Sequence, residues 1–105
     1  MKLIYENKNI DIIDCNTFFS RLVGFMFKKN INNALLFNKC NSIHTFFMKE
    51  NIDVLLLSKD NKILYIYKSL KPWKIILPKK QVSNILELPS NTCINLKINQ
   101  KIKIS

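Results

Sequence analysis

From residue 34 onward the chain is written in short apolar runs, ALLF, IDVLLL, ILYIYK, KIIL and NILEL, separated by Asn, Asp, Ser, Lys and Pro. Runs of this length suit strands and are too brief for helices that present a core-facing stripe. Asp60-Asn61, between IDVLLL and ILYIYK, has the chemistry of a tight hairpin turn. KIIL lies between Pro72 and Pro78, and proline cannot donate to a ladder, so this run reads as a short or edge strand. NILEL stops at Pro89, and LKINQKIKI supplies a closing strand or hairpin.

The N-terminal third is different in texture. Lys2 to Tyr5 and Ile10 to Asp14 flank ENKN, a hairpin pattern. In CNTFFSRLVGFMF, Asn16 or Thr17 can cap a helix whose apolar positions Phe18, Phe19, Leu22, Phe25 and Met26 recur at helical spacing. Gly24 is the only glycine, and within a helix it would cost about 1 kcal/mol relative to alanine, so it marks a helix end or a close backbone contact. The expected architecture is mainly β, a compact barrel-like or sandwich domain spanning residues 1–105, with one short α-helix near residues 16–27.

The polar residues that stand out are in CNSIHTFFMKENIDVLLL. His44 is the only histidine, with Cys40 four residues before it and Asp53 nine after. If Cys40 to Met48 is one strand, Cys40, Ser42, His44, Phe46 and Met48 share a face. Cys40 and His44 are then separated by about 13 Å, too far to ligate one zinc ion unless the chain bends at Asn41-Ser42. No further metal-ligand spacing is present, so no metal and no cofactor are expected, and one glycine excludes a Gly-rich phosphate cradle. His44 is either packed against Phe46 and Met48 and hydrogen-bonded through its ring, or a contact residue for a ligand. Asp53 interrupts an apolar strand, which is costly unless it meets a cation such as Lys49 or Arg21, or backbone N–H groups.

A net charge of +10 raises the question of a polyanion or an anionic membrane. Only Arg21 is arginine, however, and lysine lacks the planar fork that reads phosphates and guanine edges bidentately. Lys28-Lys29 and Lys79-Lys80 are pairs rather than polybasic blocks, so dispersed solubilising lysines are the plainer reading and nucleic acid is not the expected partner. The N-terminus lacks a secretory apolar core and no run approaches a membrane span, which points to a soluble, cytoplasmic protein without a transmembrane segment. Three cysteines, Cys15, Cys40 and Cys93, in no CxxC spacing fit reduced thiols.

The ordered set Arg21, Gly24 and Met26, then Phe37, then Met48-Lys49, then Ile52-Asp53, and finally Leu86-Glu87-Leu88 resembles the bacterial and archaeal family known as domain of unknown function 192. The likeness runs from about Asn16 to Ile104, with Cys40, Ser42 and His44 similar to a clostridial-type variant. It implies a compact β-rich barrel-like or sandwich domain with one helix and no established activity. Many relatives carry signal or lipid-anchor segments. Relatives commonly have glycine after Leu-Glu-Leu and a Gly-Asp turn before the last strand, where this chain has Asn91 and Asn99-Gln100. Asparagine tolerates the left-handed conformation, so these turns survive the replacement.

The functional expectation is a non-enzymatic binding or accessory domain that takes a small ligand or a protein partner through Arg21, His44, Met48, Lys49 and Asp53. Two alternatives stand beside it. One is an enzyme using His44 with Cys40 or Asp53. The other is nucleic-acid binding through lysines and the aromatics Tyr65, Tyr67 and Trp73.

Overall fold

A computed structural model describes residues 1–5, 8–17, 23–93 and 95–105. Nine strands are found among them: β1 (Lys2–Tyr5), β2 (Lys8–Asp14), β3 (Ala34–Asn38), β4 (Ile43–His44), β5 (Ile52–Leu57), β6 (Ile63–Leu70), β7 (Ile75–Ile76), β8 (Asn84–Pro89) and β9 (Lys103–Ile104). Seven form one sheet in the order β6-β5-β8-β3-β2-β1-β9, and β4 pairs with β7 in a small second sheet. All pairings in the large sheet are antiparallel except β2 with β3. A parallel pair needs a crossover of a dozen or more residues, which is what the segment 15–33 provides.

The sheet curls until its outer strands meet at one end. Lys62 bridges Lys101, Ile63 N donates to Gln100 O at 2.9 Å, and Asn99 N donates to Ile63 O at 2.7 Å. Curling gives the sheet an inner and an outer face, each with its own apolar cluster. Leu3, Leu36, Leu55, Leu57, Leu86 and Leu88 belong to the inner cluster. Leu35, Phe37, Val54, Leu56, Ile76 and Ile85 belong to the outer one, together with Phe25 and Met48. Strand β5 is buried at all six positions because both of its faces are covered, which is why IDVLLL reads as a continuous apolar run and not as an alternation.

The strand readings hold at β1 and β2, and at β3, β5, β6, the short β7 and β8. Asn61, Asn91 and Asn99 adopt φ of 63°, 68° and 72°, as expected of turn asparagines. One expectation is corrected. The region Cys40 to Met48 is a two-residue strand followed by a turn, not one long strand. Thr45 bonds to the 71–74 segment, and Phe47, at φ 62°, reverses the chain. Residues 18–22, the middle of the expected helix, lie outside the described residues; Val23 is helical and Gly24 to Phe27 form a turn, with Met26 N donating to Val23 O.

An aromatic row and two buried carboxyls as candidate sites

The structure separates the residues singled out from the sequence. Arg21 lies outside the described residues. Met48 is buried in the outer cluster, and Lys49 is exposed. Asp53, 1% exposed, sits on the inner face of β5. Opposite it, β6 carries a β-bulge: Ile52 pairs with Leu70 but Val54 pairs with Tyr67, leaving two residues against one. The extra residue Ser69 is turned to φ 51°, and its N–H donates to Asp53 Oδ1 at 2.8 Å. Asp53 Oδ2 accepts from Cys93 N at 2.9 Å. Asp53 thus fastens a bulge and the chain after β8 through backbone N–H groups, with Lys49 taking no part. Burial, reinforced by the Asp53 charge and hydrogen bond and opposed by Lys68, pushes the Cys93 thiol up to about 12, so it is held as an inert thiol.

Glu87 is the buried acid that sequence reasoning passed over. It pairs with Leu35 and Val54 on the neighbouring strands and is 2% exposed. Its Oε1 has no hydrogen-bond partner among the described residues. Burial raises its carboxyl from an ordinary 4.5 to about 8, so the group is largely neutral at pH 7. Over it lies the turn at Gly24, whose φ is +49°; a Cβ there would stand 3.2 Å from Glu87 Oε1 and 3.6 Å from Phe37. The close backbone contact expected of the only glycine is therefore with this carboxyl.

His44 belongs to a third arrangement. Its Nδ1 accepts from Phe46 N at 3.1 Å, which leaves the proton of the neutral ring on Nε2. Its ring begins a row: His44 to Phe46 at 4.9 Å, Phe46 to Trp73 at 5.6 Å, Trp73 to Phe47 at 4.7 Å and Phe47 to Phe27 at 5.5 Å. Such centroid spacings are those of favourable ring pairs. Phe27, Phe47 and Trp73 are nevertheless 61%, 45% and 59% exposed. All three are held at positive φ, 63°, 62° and 67°. That region is a genuine outlier for bulky side chains and costs on the order of 1–3 kcal/mol per residue.

Buried Thr45 organises the row. Its Oγ1 donates to Lys71 O at 2.7 Å and accepts from Lys74 N at 2.8 Å. Its backbone N donates to Lys74 O, and its O accepts from Trp73 N at 3.0 Å. Phe27 N donates to Phe47 O at 3.0 Å, and Glu50 accepts from Asn30 N and Ile31 N, which anchors the third segment. Gly24, Phe25 and residues 28–33 also line a cleft of about 240 Å³ with Ile13 and Leu35.

Cys40 Sγ donates to Ser42 O at 3.2 Å, and Asp53 is committed on the inner face, so His44 is not brought to Asp53. Among the described residues no three His, Cys, Asp or Glu side chains are grouped to hold a metal. Tyr65 lies under Lys79 Nζ at 5.1 Å and Tyr67 packs on the outer cluster, so of the three expected nucleic-acid aromatics only Trp73 is in the row.

The chain is similar to known proteins in sequence and in fold. A model of the DUF192 family, described as an uncharacterized ACR, matches residues 2–105. A UPF0127 protein of Thermococcus kodakarensis is 35% identical over 96 residues, covering 86% of this chain and 60% of that protein. The chain therefore spans somewhat less than two thirds of that relative's length. A UPF0127 protein of Pyrococcus horikoshii is 36% identical over 97 residues, covering 83% of both. The crystal structure of a protein of unknown function from Novosphingobium aromaticivorans superposes with a TM-score of 0.82 at 11% identity, covering 98% of this chain and 82% of that one. This last likeness is one of fold.

Proposed function

The chain belongs to the DUF192 family, and on that premise we propose that it is a single-domain, non-enzymatic binding module whose contact surface is the row Phe27, Phe47, Trp73, Phe46 and His44, flanked by Lys49. The observation that carries the reading is that three large aromatics are at once exposed and conformationally strained. A side chain kept for stability would be buried, or its backbone relaxed. Strain of this kind persists where the surrounding structure over-determines it, and it gathers at ligand clamps and active sites. Thr45 supplies the over-determination here by fixing the segment that carries Trp73.

Replacing each strained aromatic by asparagine, which tolerates positive φ, separates a binding role from a structural one. Phe27→Asn, Phe47→Asn and Trp73→Asn should each leave the unfolding free energy measured in urea unchanged within about 0.5 kcal/mol or raise it, as relief of strain offsets the lost ring contacts. A loss above about 2 kcal/mol in each would show that the rings hold the fold, and the proposal would fall.

A further inference from the structure

Resting on the row as a contact surface, we infer that its partner is an anionic lipid bilayer, engaged peripherally. Next to the row, the segment that carries Trp73 exposes further apolar side chains. Phe27, Phe47, Trp73, Ile75 and Leu77 make up half of the ten exposed large hydrophobics among the described residues. Ile75 and Leu77 are 59% and 68% exposed. They come from the segment that Thr45 ties to the row, since Ile75 pairs with His44 across the small sheet.

Charge chooses between occupants of this face. The segments 24–33, 43–50 and 71–80 contain seven lysines and a single acid, Glu50, whose carboxylate accepts from Asn30 N and Ile31 N. They account for +6 of the net +10, which leaves +4 for all other residues. Six of the seven lysines are exposed; Lys79 is half-buried beside Tyr65. A second copy of the chain would set these lysines against their own kind and is repelled. Stacked bases would use the rings but give Ile75 and Leu77 no role, and the point charges of lysine do not read phosphates bidentately. A bilayer surface uses all three features. Aromatics settle at headgroup depth, aliphatic side chains reach the acyl boundary, and lysines are drawn to anionic lipids while their stems lie along apolar surface. No helix among the described residues is long and apolar enough to span a membrane.

Trp73 is the only tryptophan and reports directly. The intact chain is mixed with vesicles of phosphatidylcholine alone and of equimolar phosphatidylcholine and phosphatidylserine, with co-sedimentation and Trp73 emission read together. Binding to the anionic vesicles only, with a blue-shifted Trp73 that resists aqueous quenching, is the expected result. Lys71→Glu combined with Lys74→Glu should lower partitioning about tenfold or more while the far-UV circular dichroism is unchanged. Phe47→Asn should lower it with the salt dependence retained. Absence of binding, or binding that leaves the Trp73 emission unshifted, overturns the inference. Quenching of Trp73 by single-stranded DNA without response to vesicles also overturns it, yet leaves the contact surface standing. Destabilisation of Phe47→Asn in buffer would instead strike the surface reading itself.

Discussion

Asp53 and Glu87 are one register step apart on paired strands, since Asp53 lies opposite Leu88 and Val54 opposite Glu87. That single step puts them on opposite faces of one sheet. Both are at most 2% exposed, and their situations are otherwise contrary. Asp53 collects two backbone N–H donors and holds a bulge and a loop in place. Glu87 Oε1 collects none among the described residues, and its carboxyl is held near neutral. Burial alone therefore does not decide whether a carboxyl stabilises a fold. The donors within reach decide it: charged acceptors with partners are worth about 1.5–3 kcal/mol per bond, whereas an unpartnered group costs its desolvation.

The sharpest break between the two is removal of the side chain. Asp53→Ala leaves the Ser69 and Cys93 N–H groups buried without acceptors and should destabilise the protein by about 3 kcal/mol or more, measured by urea unfolding. Glu87→Gln removes a group that is already neutral at pH 6 and should cost less than about 1 kcal/mol there. Equal losses would erase the distinction.

The next test is pH. The folded-state carboxyl of Glu87 titrates near 8 and the unfolded one near 4.5. Between these values the native state keeps a proton that the unfolded state has released, so its contribution to stability is complete below pH 4.5, declines as pH rises, and levels off above 8. The limiting slope is about 1.4 kcal/mol per pH unit. Unfolding free energy followed across this window should fall in the wild type and lose that slope in Glu87→Gln. A slope that persists in the variant would assign it to another group.

A smaller effect attends the turn above Glu87. Gly24→Ala forces a Cβ into φ +49° and to 3.2 Å from Glu87 Oε1, and should cost about 1–2 kcal/mol. In a Glu87→Ala background the steric share should vanish and the conformational share remain. Strict additivity would mean that the cost of substituting Gly24 comes from its backbone conformation alone, with no contribution from the carboxyl.

The fold was legible wherever short apolar runs met turn chemistry, as at Asp60-Asn61 and Asn99, because such signals are local. The candidate sites were less so, for two physical reasons. Glu87 in NILEL looks like the solvent side of an alternating strand; the turn at Gly24 lies over it, and that contact is made across more than sixty residues of chain. Asp53 stood out because its run has no alternation to excuse it, yet its donors, Ser69 N and Cys93 N, are backbone groups invisible to a reading of side chains. The aromatic row was divided in the same way. Its rings were visible as residues, but Phe27, Phe47 and Trp73 have no local preference for positive φ and are held there by bonds to distant segments, such as Trp73 N to Thr45 O.

The least perturbing test leaves the fold intact and asks whether the Asp53 niche stays closed. Cys93 shares that niche, fully buried and with its thiol pushed up to about 12, whereas Cys40 is half-buried. The thiolate is the reactive species, so both burial and the raised value slow Cys93. With a disulfide reagent at about pH 8, Cys40 should react first, and Cys93 only on the timescale of unfolding. Asp53→Asn removes the charge that reinforces burial but not the burial itself. If that variant folds, Cys93 should therefore react faster than in the wild type and still more slowly than Cys40. Labelling of Cys93 at the rate of Cys40 in the native wild type would show that the inner face opens without unfolding, and then the two N–H donors to Asp53 could not be what holds the bulge and the loop together.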